Sequence, residues 1–291
     1  MISEKAFAKI NLSLDILGLR PDRYHEVSMV MQTIDLYDTL TFEKEGIGIS
    51  LKTDNEMLNT EQDSGKDNLI VKASKAIFNE AGINENANVK ITLTKNIPIA
   101  AGMAGGSADA AATLRGLNRL FNLSFSDEKL KEIAVKIGAD VPFCVSGGCA
   151  LSEGIGEKLT SLNKKLDYYV VTCKPDIFVS TRDVYWAYDS MAPDLIKHPD
   201  VHSQVKALEM GDETEFLNNM KNVLEPVTKD MHPIIGEIEA FFTENGATAT
   251  MMSGSGPTVF SLYKDEKSAE IACNKAKEKY REFSVNLSTF I

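Results

Sequence analysis

The segment PIAAGMAGGSADAAATL, residues 98–114, contains the pattern that decides the fold. Three glycines, Gly102, Gly105 and Gly106, stand directly before an alanine-rich stretch whose apolar side chains recur at helical spacing. Glycine permits positive φ angles and leaves backbone N–H groups uncovered. A following helix directs its unpaired N–H groups and the positive end of its dipole to the same place. The segment therefore predicts an anion site suited to a di- or triphosphate, with the Ser107 hydroxyl at the mouth of the helix.

This glycine loop differs from the two commoner nucleotide-binding loops. A Walker A loop needs a lysine and a hydroxyl residue after its last glycine, and no lysine follows Gly106. The dinucleotide fingerprint GxGxxG is absent as well. An alternative remains open, in which the glycines and the small residues Ala108, Ala111 and Ala112 serve tight helix packing.

The composition limits the classes of ligand. With 291 residues, of which 43% are hydrophobic and 25% charged, the chain is long enough to bury a sizeable core. Its net charge of −11 argues against non-specific binding to nucleic acid or to a membrane surface, because either would need a basic field. We therefore expect any anion site to be built locally, from backbone amides and a few lysines.

The four cysteines and the N-terminal segment bear on the compartment. Cys144, Cys149, Cys173 and Cys273 form no CxxC pair and have no histidine at zinc-finger spacing, so we expect buried thiols in a reducing compartment. The first 17 residues carry several charges and lack a signal-peptide core. No apolar run approaches the roughly 20 residues that a membrane helix needs. We expect a cytoplasmic protein.

The remaining pattern predicts an α+β protein. Residues 6–16 alternate apolar and polar, which predicts a strand with one buried face and with Lys9 and Asn11 on the exposed face. Residues 89–94 predict a second strand, and residues 251–263 predict a strand, a turn and a strand. Between the first two, Asp67 is the predicted cap of a helix that ends at Gly82.

Four further candidates for chemistry are each commonplace alone. These are Lys9 with Asn11, the pair Tyr24 and His25 in DRYHEV, Asp140 in a predicted loop of GADVPF, and SGSGP at residues 253–257. An isolated aspartate beside a proline is usually a solvated turn residue. SGSGP is either a plain hairpin turn or a second wall of amides against a phosphate.

In this order the segments resemble the galactokinase, homoserine kinase, mevalonate kinase and phosphomevalonate kinase (GHMP) superfamily. The resemblance spans nearly the whole chain and is carried by AKINLSLDILGLRPDRYHEV, DNLIVKA, PIAAGMAGGSADAA, GADVPF and SGSGPTVF. Within the superfamily it is similar to the subfamily whose alcohol substrate carries a cytidine diphosphate group. The RYHEV end of the first segment is more diagnostic of that subfamily than the glycine loop.

The resemblance implies roles for individual residues. Lys9 and Asp140 match the catalytic pair. The residues that match the ATP site are Asn68 and Lys95 on the adenine side, with Pro98, Gly102, Met103, Ala104, Gly105, Gly106, Ser107 and Ala108 in the loop. The residues that match the cytidine diphosphate site are Asn11, Tyr24, His25, Thr181 and Tyr185. Arg182 and Asp183 depart from the proline-containing loop expected after residue 178, and no direct metal ligand is implied beyond a possible contact of Ser107.

The resemblance also implies a two-domain fold, with residues 1–157 binding ATP, residues 158–291 completing the substrate site, and the active site between them. It implies ATP and Mg²⁺ as cofactors, a small-molecule substrate, no nucleic-acid or membrane partner, and a monomer or homodimer. Three other readings stay open: a homoserine or mevalonate kinase, a non-catalytic nucleotide-binding protein of the same fold, and an RNA-binding module. The net charge of −11 disfavours the last of these.

Overall fold

A computed structural model of the chain describes residues 1–55, 58, 68–83, 87–164 and 166–291. It contains two compact units built from interleaved segments. The first unit comprises Met1–Ala8, Leu36–Ile99 and Ala104–Gly147, and the second comprises Lys9–Asp35, Ala100–Met103 and Gly148–Ile291. The boundary expected between residues 157 and 158 stays a prediction.

The described residues form strands and helices in grouped order, which confirms the α+β prediction. The strands are β1 Ile2–Leu19, β2 His25–Glu43, β3 Ile49–Thr53, β4 Val89–Thr94, β5 Cys149–Gly154, β6 Lys158–Leu162, β7 Tyr169–Lys174, β8 Ala249–Met252, β9 Val259–Tyr263 and β10 Ser284–Thr289. The helices are α1 Leu69–Glu80, α2 Gly105–Phe121, α3 Asp127–Val135, α4 Val141–Ser146, α5 Thr181–Asp189, α6 Val201–Met210, α7 Glu213–Asn218, α8 Glu225–Met231, α9 Ile234–Glu244 and α10 Glu266–Lys279. None of the helices in the described ranges is both long and apolar enough to cross a bilayer.

In the first unit, helices pack on a small sheet. The second half of β2 pairs antiparallel with β4, and β3 pairs parallel with β4. Helix α2 buries Leu114 and Leu117 and approaches β2 closely at Gly116, where an added Cβ would lie 2.3 Å from the Phe42 ring. Glycine at 116 therefore lets α2 lie flat on the sheet.

The second unit contains two sets of antiparallel strands. The first half of β2 pairs with β5, and β5 pairs with β6. A separate four-stranded sheet has the order β10–β7–β9–β8. The helices α9 and α10 pack on this sheet through apolar side chains that include Ile238, Phe242 and Ala272.

Strand β1 has no solvent-exposed face over its central residues, which corrects the sequence-based expectation. Lys9 and Asn11 are only 4% and 0% exposed. In the second unit, hydrogen bonds replace water along this polar face: Ser13 Oγ accepts the N–H of Val30, and Asp15 Oδ1 lies 2.6 Å from Nδ1 of His198. Alternation predicted the strand correctly, but it cannot reveal polar groups that cover its second side.

Two other local predictions are adjusted. Asp67, the predicted cap of α1, lies outside the described residues, and the N-cap is Asn68, whose side chain accepts the N–H of Ile70 at 2.9 Å. The segment expected to continue as a loop after residue 178 forms α5 from Thr181, because Ser180 caps it by accepting the N–H of Asp183.

Candidate active site

The glycine loop has the backbone of an anion-binding turn. Three alternate residues, Ala100, Gly102 and Ala104, have φ angles of 51°, 70° and 56°, and α2 begins directly after the last of them. Alternation of left-handed with other residues turns successive N–H groups toward one side and forms a concave anion site. Two alanines in this conformation cost energy, and such strain is typical of functional loops. A turn lies where the glycine pattern predicted one, but only Gly102 of the three glycines has a positive φ angle, because Gly105 and Gly106 are already in α2. Binding of an anion at this turn stays a prediction.

Not every residue of the predicted loop can offer a group to a ligand. The N–H of Ala108 donates to the carbonyl of Ala104 at 2.9 Å, and its side chain is buried in α2. Met103 is buried as well, and its carbonyl accepts the N–H of Lys9 at 3.1 Å. Pro98 is half-buried in the turn that precedes the loop. The first-turn residues Gly106 and Ser107 are exposed and half-buried respectively, so both remain within reach of solvent.

Gly105 is a packing position as well as a loop residue. A Cβ there would lie 3.0 Å from Cγ2 of Ile97 and 3.0 Å from Nζ of Lys95. A Cβ on Gly106 would meet only Cδ1 of Leu69, at an ordinary 3.5 Å. Since Leu69 is the first residue of α1, the N-terminal ends of α1 and α2 adjoin at the loop. The alternative that the glycines serve packing therefore holds for Gly105, whereas Gly106 has room for a side chain.

Lys95 is buried in an ion cluster beneath the loop. Its ammonium bonds to Oδ2 of Asp38 and to Oδ2 of Asp109, the latter at 3.0 Å. Asp38 Oδ1 also accepts the N–H groups of Asn96 and Ile97, at 2.6 and 2.8 Å. The cluster thus joins the end of β4 to the first turns of α2.

Burial sets the protonation of this cluster. Two carboxylates share one ammonium, and Oδ1 of Asp109 has no hydrogen-bond partner in the described part of the chain. Burial raises the pKa of Asp109 to about 8, against the attraction of Lys95. Because Asp38 receives three donors and Asp109 one, Asp109 is the carboxylate that takes up a proton.

The late glycine segment packs directly on the loop within the second unit. Ser253 Oγ donates to the carbonyl of Gly102 at 2.9 Å and accepts the N–H of Asn11 at 3.3 Å. A Cβ on Gly102 would stand 2.2 Å from the carbonyl oxygen of Ser253, so only glycine fits there. Asn222 holds the turn from the other side by donating to the carbonyls of Met252 and Gly254. SGSGP is both a turn between β8 and β9 and a wall against the loop.

Lys9 and Asn11 are brought together by β1. Nζ of Lys9 donates to Oδ1 of Asn11 at 2.7 Å, and Nδ2 of Asn11 lies 3.1 Å from Sδ of Met29. A buried lysine bonded to an amide keeps its ammonium oriented in one direction. This side chain is fixed on a strand rather than mobile on the surface.

Asp140 begins a helix instead of standing in a loop. It occupies the N-cap position of α4, with Pro142 in the first turn, and is half-buried. Its side chain makes no capping hydrogen bond with α4. Its role as the partner of Lys9 in catalysis stays a prediction from the resemblance.

Three of the five predicted cytidine residues are on α5 or in contact with it, namely Thr181, Tyr185 and His25. Thr181 and Tyr185 are one helical turn apart, with Oγ1 of Thr181 2.8 Å from Oγ of Ser255. The ring of Tyr185 lies 4.8 Å from that of His25 between centroids, at an interplanar angle of 47°. Tyr24, on the turn between β1 and β2, is 61% exposed. Four of the five predicted residues therefore form contacts through α5, β1 or the 253–257 turn, and Tyr24 presents an uncovered ring.

The donor set fits Mg²⁺ held largely by a ligand. Among the described residues no group of three His, Cys, Asp or Glu side chains stands at metal-binding spacing. Mg²⁺ commonly takes one or two protein oxygens and completes its octahedron with phosphates and waters. The Ser107 hydroxyl and the Asp140 carboxylate are oxygen donors of this kind.

Sequence reasoning missed three residues. Asp38 and Asp109 are separated from Lys95 in the sequence, and only the packing of α2 on the sheet unites them. Asp189 lies 2.8 Å from Nε2 of His25. A helical reading of residues 181–189 was the signal for Asp189, because Thr181, Tyr185 and Asp189 follow at intervals of four.

Comparison with known proteins places the chain in a family. The descriptions "GHMP kinases N terminal domain" and "GHMP kinases C terminal" match residues 68–148 and 204–282, together more than half of the chain. A 4-diphosphocytidyl-2-C-methyl-D-erythritol kinase of Clostridium beijerinckii is 44% identical over 278 residues, which are 96% of this chain and 96% of that protein.

Solved structures agree with this assignment. A crystal structure of 4-(cytidine 5'-diphospho)-2C-methyl-D-erythritol kinase has a TM-score of 0.81 at 29% identity and covers 99% of both chains. A homoserine kinase from Cytophaga hutchinsonii has a TM-score of 0.75 at 17% identity, over 99% of this chain and 94% of that one, and this likeness concerns the fold alone. The chain therefore belongs to the GHMP kinases and, among these small-molecule kinases, to the family of the 4-diphosphocytidyl-2-C-methyl-D-erythritol kinases.

Proposed function

We propose that the chain transfers the γ-phosphoryl group of ATP to the C2 hydroxyl of 4-diphosphocytidyl-2-C-methyl-D-erythritol, in the non-mevalonate route to isoprenoid precursors. The observation that carries this proposal is the 44% identity, over 96% of both chains, to a curated kinase of that name. The alternating positive φ angles at residues 100, 102 and 104, directly before α2, support a phosphate site in this chain.

Phosphate binding rests on backbone groups. Phosphoryl transfer has a loose transition state, so positioning and charge stabilisation supply most of the acceleration. The N–H groups of the loop and of Gly105, Gly106 and Ser107 bind phosphate oxygens from fixed positions, and the dipole of α2 adds to their effect. The Ser107 hydroxyl and the Asp140 carboxylate would hold Mg²⁺, and the ion would supply positive charge that neutralises the phosphate oxygens.

Lys9 and Asp140 are the proposed catalytic pair. Asp140 accepts the proton of the substrate hydroxyl as its oxygen bonds to the γ-phosphorus, while the bond from that phosphorus to the β–γ bridging oxygen breaks and ADP leaves. Lys9, whose ammonium is oriented by its bond to Asn11, supplies a positive charge to the reacting groups. Asn68, which caps α1, and Lys95 are proposed for the adenine side. The ammonium of Lys95 is buried in the ion cluster with Asp38 and Asp109.

The cytidine diphosphate end is proposed to bind in the second unit. Tyr24 and Tyr185 supply ring faces, His25 an imidazole edge, and Asn11 and Thr181 polar groups. Support comes from the contacts of His25 with Tyr185 and of Thr181 with the 253–257 turn, since they fix these side chains before a ligand arrives.

A panel of alcohols tests the proposal. The chain is incubated with labelled ATP and, separately, with the cytidyl-methylerythritol compound, homoserine, mevalonate and galactose, and an Asp140→Asn variant serves as the matched control. We expect phosphorylation of the first alcohol only. Turnover of mevalonate or homoserine would replace the substrate assignment, and ATP binding without turnover of any alcohol would favour a non-catalytic nucleotide-binding protein. Cytoplasmic location, the monomer or homodimer, and the absence of a nucleic-acid or membrane partner remain sequence-based predictions.

A further inference from the structure

The histidine of the proposed cytidine site is held by two side chains of α5. Nε2 of His25 lies 2.8 Å from Oδ1 of Asp189, and the His25 ring contacts that of Tyr185. Tyr185 and Asp189 are four residues apart, so both project from one side of α5. The backbone of His25 is fixed as the first residue of β2. The imidazole is thus held at one face and at one nitrogen, and its side chain is only 11% exposed.

The hydrogen-bond partner of Nε2 determines which ring nitrogen of His25 carries the proton. A carboxylate only accepts hydrogen bonds, so Nε2 must carry the hydrogen that joins it to Asp189. In a neutral imidazole the other nitrogen, Nδ1, then has a lone pair. The structure gives Nδ1 no hydrogen-bond partner within its described ranges. Asp189 is 39% exposed, so water screens its charge and the direction of the hydrogen bond is its main effect.

The position of Asp189 in α5 points to a role outside the helix. It is the last residue of α5, where the helix dipole is negative and an acidic side chain is unfavourable. Helix stability would be served better by alanine or lysine at this place. The carboxylate is therefore explained by its bond to His25 and not by the helix that carries it.

We propose that Asp189 is a positioning residue that holds His25 as the Nε2–H tautomer, so that Nδ1 accepts a hydrogen bond from the amino group of a cytosine base. The inference rests on the proposed function, since it assigns the base selectivity of the same site. Cytosine carries an amino donor where uracil carries a carbonyl acceptor. The lone pair at Nδ1 accepts a hydrogen bond from the amino group of cytosine, whereas in uracil it would face the carbonyl oxygen, which is also an acceptor. The site therefore selects a cytidine diphosphate over a uridine diphosphate.

The tautomer is measured without substrate. Two-bond proton–nitrogen correlation spectra at pH 8 report the protonation of each imidazole, and the chain has four histidines, so a His25→Gln variant assigns the signal. We expect the Nε2–H form in the unaltered chain and in Asp189→Asn, whose amide oxygen still accepts, and a mixture of tautomers in Asp189→Ala. The Nδ1–H form or an imidazolium in the unaltered chain would overturn the proposal, as would an unchanged spectrum in Asp189→Ala.

Base selectivity is measured by calorimetry with CDP and UDP. Loss of one such hydrogen bond corresponds to about 3- to 10-fold in affinity. Asp189→Ala should weaken CDP binding by that factor and lower the ratio of CDP affinity to UDP affinity by the same factor. Its affinity for an ATP analogue should be unchanged. The CDP affinity of Asp189→Asn should stay within about 2-fold of that of the unaltered chain. An unchanged CDP-to-UDP ratio in Asp189→Ala would overturn the selection by Asp189. Failure of the unaltered chain to bind CDP would overturn the proposed function and the base selection, while the spectra decide the tautomer independently.

Discussion

Nζ of Lys95 lies 3.0 Å from Oδ2 of Asp109, and the two side chains are each only 5% exposed. The same ammonium also bonds to the buried Asp38. Three ionised groups would leave one uncompensated negative charge in the interior, which is costly. The cluster avoids this cost by protonation of Asp109, because burial raises the pKa of that carboxyl group to about 8.

The raised pKa of Asp109 predicts a pH dependence of stability. Between its ordinary value of about 4 and about 8, the folded chain holds a proton on Asp109 that the unfolded chain has lost. The free energy of unfolding should therefore fall as pH rises through this window, by up to about 1.4 kcal/mol per pH unit, and level off above it. Asp109→Asn is neutral at every pH and lacks this contribution.

Urea unfolding of both proteins at pH 5, 6, 7 and 8 measures the difference. Burial also raises the pKa of Glu239 to about 8. Glu239 is present in both proteins, so its contribution cancels in the difference between their unfolding free energies. The unfolding free energy of Asp109→Asn minus that of the unaltered chain should grow with pH. A difference that stays constant would show that Asp109 is ionised throughout.

The periodicity of the sequence predicted the strands and turns that carry the site, but it did not predict which side chains surround them. Alternation identified β1, and the glycine pattern identified the turn before α2, because both are local properties of the backbone. Burial of Lys9 and the pairing of Lys95 with Asp109 were out of reach, since they depend on residues distant in the sequence. Tyr185 was assigned by resemblance to a loop, whereas its place on α5 explains its contact with His25.

The two neighbouring glycines of α2 should respond differently to alanine. Gly105→Ala places a methyl 3.0 Å from Lys95 Nζ and Ile97 Cγ2, so overpacking of about 1–3 kcal/mol outweighs a gain in helix propensity of about 1 kcal/mol. Gly106→Ala meets only Leu69 at 3.5 Å and should keep or raise the melting temperature.

ATP affinity separates packing from ligand binding at these positions. The methyl of Gly106→Ala stands at the exposed mouth of α2, so we expect about a 10-fold loss of ATP-analogue affinity with no loss of stability. Gly105→Ala is the matched control for a packing defect. Unchanged ATP binding in Gly106→Ala would mean that this glycine, too, is not needed for ligand approach.

Asp140→Asn preserves the shape of the side chain and removes its charge. Loss of a positioned acid–base group typically costs about 100-fold or more in kcat, and we expect that loss here while ATP still binds. The melting temperature of Asp140→Asn, measured beside kcat, separates a loss of chemistry from a loss of folding. A folded variant with near-normal kcat would remove Asp140 from the chemistry.

Tyr185 tests the recognition of the base. A base stacked on an aromatic ring gains about 1–3 kcal/mol in other proteins. The base is remote from the transferred phosphoryl group, so this contact is equal in ground and transition states and affects KM rather than kcat. Tyr185→Ala should raise the KM for the cytidyl substrate by about 5- to 150-fold and spare both kcat and the KM for ATP.

Tyr185→Phe and Tyr24→Ala distinguish the origins of this effect. Phenylalanine keeps the ring against His25, so Tyr185→Phe should retain most of the affinity for the cytidyl substrate. Tyr24 is 61% exposed, so Tyr24→Ala should remove a ring face at little cost to packing. If Tyr185 acts only by holding His25, Tyr185→Ala will have no further effect in a His25→Gln background, whereas stacking on the base predicts a loss that persists there. A fall in kcat at unchanged KM in Tyr185→Ala would contradict both roles and would leave Tyr24 as the ring that recognises the base.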